Sequence, residues 1–189
     1  DSNEAMYAKI KAGATGYDLE RSADAVAGSW VTVATTSDDV TAYTDAGLDP
    51  EDLRGVIAAY YREVAAEVQR FGGFVARHVG DGVLVYFGYP AAHENDSERA
   101  VRAGLALISA IRRLKLRPGI VLDARVGIAT GLVVVDMIGE GPGREWTVLG
   151  DAPNLAGRLQ AVAERGTVLI APTTHRLIGD LFECGALGP

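Results

Sequence analysis

A single cysteine, Cys184, occurs in the 189 residues, so no intrachain disulfide can form and a reducing compartment suits the chain. No apolar run reaches the ~18 residues that a membrane-spanning helix needs. Residues 1–19 lack the basic start and apolar stretch of a secretion signal. These absences make the cytoplasm the expected location, with no membrane contact from this chain. A basic excess is also missing. The net charge is −7, and binding a polyanion requires clustered Lys and Arg, so nucleic acid is not an expected partner. The histidines, His78, His93 and His175, are scattered without metal-ligand spacing, which argues against zinc. No internal repeat or low-complexity tract occurs.

What is present suits one compact domain with a full core: 48% of residues are hydrophobic and 23% charged. From residue 49 onward the local signals agree. Asp49-Pro50-Glu51-Asp52 supplies an N-cap, a first-position proline and acids at the positive end of a helix dipole. Leu53, Val56, Ile57, Tyr60, Val64 and Val68 then recur at helical spacing, and Gly72-Gly73 stops the helix. Two β-rich runs, 73–80 and 83–88, flank Gly80-Asp81-Gly82 and predict a hairpin that puts Asp81 at a strand end.

Asp96-Ser97-Glu98 opens a second helix with Val101, Leu105, Ile108 and Ile111 on its apolar face. Arg99, Arg102, Arg112 and Arg113 are expected on its solvated face. Residues 124–138 read as a long strand, interrupted at Gly131, and 139–143 as a loop. A short strand (145–149), a helix (153–163), a core strand (167–171), a short helix and an edge segment near Phe182 follow. Helices returning onto one sheet in this order predict an α+β sandwich of the ferredoxin-like type.

Residues 1–30 show no dominant period and are set apart as an N-terminal segment of unassigned origin. Within them, residues 2–18 (SNEAMYAKIKAGATGYD) resemble a stretch of periplasmic polyamine-binding proteins of transporters. That stretch covers no pocket, and the whole chain is too small for polyamine binding of that kind.

The run from Leu48 through Leu107, with VLGDAPNLAGRLQAVAERGTVLIAPTTHRLI, resembles bacterial class III adenylate/guanylate cyclase domains. The resemblance spans 31–189 and takes its specificity from Gly80-Asp81-Gly82 followed, at the right distance, by Asn154-x-x-x-Arg158. It implies conversion of ATP to cyclic AMP and pyrophosphate in sites shared by a dimer. It also implies two divalent cations, Mg²⁺ or Mn²⁺, held by two aspartates, in chemistry that is mostly positioning and electrostatics. Asp81 falls on the second metal aspartate. Asn154 falls on the ribose-orienting position and Arg158 on the transition-state arginine, four apart and so on one helix face. Thr147 falls on an adenine-reading position. Arg77 stands where a purine-reading lysine is expected, keeping the charge but not the geometry.

The pattern breaks upstream. Counting back without gaps from Leu48-Asp49-Pro50 puts Ser37 at the first metal aspartate, and the glycine of the phosphate loop is missing. Asp38 and Asp39 are the neighbouring carboxylates, but a one-residue slip in a strand turns side chains to the opposite face. Two readings follow from the resemblance. One is a working adenylate cyclase homodimer with Asp38 or Asp39 completing the site. The other is a catalytically impaired domain, acting as a half-site beside a related cyclase chain or as a regulatory dimerisation module.

Overall fold

The computed structural model describes residues 8–10, 30–38, 50–79, 82–114, 116, 122–138 and 145–186. The elements are β1 (Ala8–Ile10), β2 (Trp30–Asp38), α1 (Pro50–Arg70), β3 (Phe74–Val79), β4 (Gly82–Phe87) and α2 (Asp96–Arg112). They continue with β5 (Ala124–Leu132), β6 (Val134–Ile138), β7 (Glu145–Leu149), α3 (Asp151–Val162), β8 (Thr167–Ile170), α4 (Pro172–Ile178) and β9 (Cys184–Ala186). A main sheet runs in the order β3-β4-β2-β5-β8-β1-β9, with only the β5–β8 pair parallel, and β6 and β7 form a separate two-stranded sheet. Helices cover both faces of the main sheet, giving the expected α+β sandwich.

Strand alternation divides the core in two. On one face, Val83, Val85, Phe87, Ala124, Val126 and Ile128 pack with Val56, Tyr60, Val64 and Val68 of α1 and with Val101, Leu107, Ile108 and Ile111 of α2. In α1 these residues recur every fourth position, and in α2 Val101, Ile108 and Ile111 lie one or two turns apart, so one stripe of each helix reaches the sheet. On the other face, Leu84, Tyr86, Ala129 and Leu169 pack with Ala152, Ala156 and Leu159 of α3. The hydroxyls of Ser97, Thr130 and Thr174 form a buried chain, at 3.2 and 3.0 Å, that ties α2 and α4 to β5.

Three local features differ from the sequence reading. The long strand breaks at Val133 rather than at Gly131, because β5 stays paired with β2 through Leu132 before the chain leaves to pair with β7. Helix α3 starts at Asp151 rather than Pro153, capped by Gly150 at φ +153°. Arg99 and Arg102 are half-buried instead of solvated, while Arg112 and Arg113 are exposed. The cause lies in the buried acids of the first turn of α2. Asp96 pairs with Arg99, and Glu98 with Arg102 at 2.6 Å, since a buried carboxylate without a partner is costly. Arg99 also donates to the Phe71 carbonyl at 3.1 Å, fastening the end of α1 to the start of α2.

Residues 8–10 of the N-terminal segment form a strand, paired on one side with β8 and on the other with β9. A three-residue strand leaves no periodic signature, so only its neighbours define it.

Candidate active site

The β3–β4 hairpin closes on the pair Val79↔Gly82. Asp81, like Asp39, lies outside the described residues, as does the 139–143 loop. Along β3 the register shifts between Val75 and Arg77. Without that shift Arg77 would stand opposite Val83, in the row facing α1 and α2. With it, Arg77 pairs with Leu84, in the row facing α3. A β-bulge re-aims a side chain in just this manner. His78 then returns to the other face, where its ring meets Tyr61 of α1 edge-on at 4.3 Å.

Arg77 is exposed on the sheet face where Tyr86 is buried. Burial pushes the Tyr86 phenol up from its ordinary pKa, and the Arg77 guanidinium opposes that rise by favouring the phenolate. Arg77 therefore sits at the α3 face of the sheet as a positive charge beside a phenol.

Strand β2 runs between β4 and β5. Thr35 shares a row with Leu84 and Gly127, the row that also contains Arg77. Ser37 is two positions on in the same strand, so it falls in a row of the same face, paired with Arg125. Asp38 pairs with Ala124, which belongs to the row of Val126 and Ile128 facing α1 and α2. The register thus separates positions 37 and 38 onto opposite faces.

Helix α3 lies on the Ser37 and Arg77 face at unusually short range. A Cβ on Gly127 would stand 2.1 Å from the Ala156 carbonyl oxygen and 2.4 Å from the Gln160 amide nitrogen. The glycine lets the helix backbone rest directly on β5. An isolated glycine inside a strand pattern is a signal of close backbone approach, and it marks Gly127 as well as Gly131. With Ala152, Ala156 and Leu159 buried, Asn154 and Arg158 are left exposed on the outer side of α3. Thr147 stands in β7 opposite Asp136 of β6. The fold therefore brings Arg77 and the Ser37 row to one sheet face, and turns Asn154 and Arg158 away from that sheet.

Residues 31–189 match the family described as the adenylate and guanylate cyclase catalytic domain. The chain belongs to this family of class III nucleotidyl cyclase domains. Among its relatives, adenylate cyclase 1 of Rhizobium meliloti is 28% identical over 130 residues, covering 66% of this chain and 20% of that protein. The structure of the guanylyl cyclase Cya2 superposes with a TM-score of 0.72 at 32% identity, over 80% of this chain and 79% of that one. The adenylyl cyclase CyaB from P. aeruginosa gives 0.71 at 28% identity, over 80% and 81%. The chain spans about a fifth of the length of the Rhizobium cyclase, and 13% of another Rhizobium meliloti protein to which it is 31% identical.

Cyclase domains generally use divalent cations. Among the described residues, no group of three or more His, Cys, Asp and Glu could hold a metal ion. Position 37, a serine, is the backbone partner of Arg125, and neither residue type is an anionic ligand for a hard dication. The described residues thus supply no two-cation site by themselves, and Asp39 and Asp81 lie outside them. Likewise, no helix among them is long and apolar enough to cross a membrane.

Proposed function

We propose that this domain converts ATP to cyclic AMP and pyrophosphate in sites completed by a second chain. The observation that carries the reading is the opposed placement of the two residue sets. Arg77 is on the α3-facing side of the sheet, whereas Asn154 and Arg158 are exposed on the far side of the helix that covers it. One chain cannot aim both sets at one nucleotide; two chains, each offering its sheet to the other's helix, can. A second copy of this chain is the partner we favour, and a related cyclase domain would fit the same arrangement.

In the reaction, the ribose 3′-oxygen attacks the α-phosphorus, the bond to the bridging oxygen breaks, and pyrophosphate leaves with the electron pair. The 3′-hydroxyl proton is released to solvent. Negative charge accumulates on the phosphate oxygens, and an exposed guanidinium such as Arg158 stabilises it by charge-assisted hydrogen bonds. Asn154, one helical turn earlier, has both a donor and an acceptor with which to fix the ribose hydroxyls. Thr147 and Arg77 are the residues we assign to the purine edge. Thr147 is the residue we assign to adenine, its hydroxyl accepting from the 6-amino group at the position where guanine carries a carbonyl. Asp81 is the carboxylate we assign to an Mg²⁺ or Mn²⁺ ion carried by the triphosphate.

Complementation tests this reading. With ATP and Mn²⁺, Arg158→Ala and Arg77→Ala are each expected to lose most of the cyclic AMP production of the parent chain. A one-to-one mixture should regain up to about a quarter of it, because half the dimers are mixed and each has one intact site of two. Lasting silence of the mixture beside an active parent chain would rule out sites shared between copies.

A further inference from the structure

Resting on the nucleotide reading of this sheet face, we infer that Ser37, not Asp38, takes the place of the first metal carboxylate, so that the domain binds a divalent cation only together with nucleotide. The argument comes from the ladder itself. Directly paired residues of adjacent strands share a face, and successive residues alternate. The β2–β5 ladder is unbroken from Trp30↔Leu132 to Asp38↔Ala124. No bulge intervenes to re-phase the strand, in contrast to β3, where one does.

Both ends of the argument are anchored by partners whose surroundings are known. Gly127 touches α3, and Ala129 is buried against it. Counting two back from Gly127 gives Arg125, the partner of Ser37. On the alternate row, Ile128, Val126 and Ala124 are all fully buried against α1 and α2. Asp38 is the partner of Ala124 and belongs to that row. For Asp38 to serve the α3 face, the ladder would have to slip by one residue, which would move every partner of β2 to the wrong side.

Position 37 therefore contributes a hydroxyl where a carboxylate would otherwise neutralise half of a dication's charge. Its cross-strand partner Arg125 brings a positive charge to the same row of the sheet, which disfavours a bare cation and favours phosphate. A cation arriving as its triphosphate complex brings its own anionic ligands and escapes that penalty.

The experiment is an Mn²⁺ titration of the full chain, following the paramagnetic signal of free Mn²⁺, with and without 2′,3′-dideoxy-ATP, which cannot cyclise, and with a nucleotide-only titration subtracted because the triphosphate itself binds Mn²⁺. The parent chain should take up Mn²⁺ only with the nucleotide. Ser37→Asp should tighten nucleotide-free binding by at least about tenfold, the scale on which changes around a metal ligand act. Asp38→Asn should leave Mn²⁺ uptake within about twofold of the parent on the same scale. Tight nucleotide-free binding by the parent, or its loss in Asp38→Asn, would overturn the inference. If Ser37→Asp does not fold, the Asp38→Asn comparison still decides. Nucleotide binding is measured separately with Mn²⁺ present; its absence in the folded parent would remove the cyclase reading, and this inference with it.

Discussion

The two faces of the main sheet are built on different principles. Toward α1 and α2, the sheet presents Val83, Val85, Phe87, Val126 and Ile128, and the helices answer with long aliphatic and aromatic side chains. Toward α3, Leu84, Tyr86 and Leu169 flank a central strand, β5, that presents only Gly127, Ala129 and Gly131, and the helix answers there with Ala152 and Ala156. The first face keeps its helices at side-chain distance and excludes water. The second brings a helix backbone onto a strand, and leaves the sheet rows around Arg77 and Ser37 beside that helix. Thick packing serves stability, while thin packing positions a functional surface, because a helix resting on backbone has little freedom to shift.

That contrast is open to being broken by substitution. The largest effect on stability is expected on the thick face. Phe87 is fully buried, and its ring lies 2.7 Å from where a Cβ on Gly73 would be. Phe87→Ala should cost about 3–5 kcal/mol of unfolding free energy, read as a lower denaturation midpoint in urea. Cyclic AMP formation per folded molecule should change little, since the row of Phe87 faces away from α3.

On the thin face the order reverses. Gly127→Ala puts a methyl group 2.1 Å from the Ala156 carbonyl, and neither backbone can yield without moving α3. The stability cost should be smaller, about 1–3 kcal/mol. Turnover per folded molecule should nevertheless fall by up to about a hundredfold, since small misplacements of positioned groups cost that much. Equal losses of turnover in the two variants, after correction for folded fraction, would end the distinction between the faces.

The same contrast explains what could be read from the sequence. The thick face was legible because Val56, Tyr60, Val64 and Val68 announce their common side by spacing alone, and Val101, Ile108 and Ile111 do the same. The hairpin around Gly80-Asp81-Gly82 was legible from turn chemistry, and its strands lie where the pattern put them. Where α3 crosses β5 the residues are small and carry no hydrophobic period, so spacing alone does not reveal how closely α3 approaches Gly127. The register shift beside Arg77 leaves no trace in composition, since a bulge depends on the partner strand's pairing. The half-burial of Arg99 and Arg102 is illegible for a related reason: helical spacing reports where a side chain points, but not that Asp96 and Glu98 are buried and require counter-charges. For Ser37 the sequence supplied a count and the ladder supplied a face, and neither alone separates position 37 from position 38.

The smallest expected effect lies at Tyr86, on the α3-facing side of the sheet. Tyr86 is buried among the α3-facing residues, with its phenol pushed above 10.0 by burial and drawn back by Arg77. Below pH 10 the phenol is protonated in both folded and unfolded chains, and its contribution to stability is fully present. As pH rises through 10.0 the unfolded chain releases the proton while the folded chain retains it, so stability falls with pH until the higher folded pKa is passed. Tyr86→Phe should remove that component of the alkaline loss. Arg77→Ala should deepen it, because the charge that favours the phenolate is gone and the folded pKa climbs further. Denaturation midpoints measured just below and above pH 10 separate the variants, and the phenolate absorbance lost in Tyr86→Phe identifies the group. An alkaline profile of Arg77→Ala identical to that of the parent chain would mean that Arg77 does not stand over this face, and the role of the β3 bulge in aiming it would have to be given up.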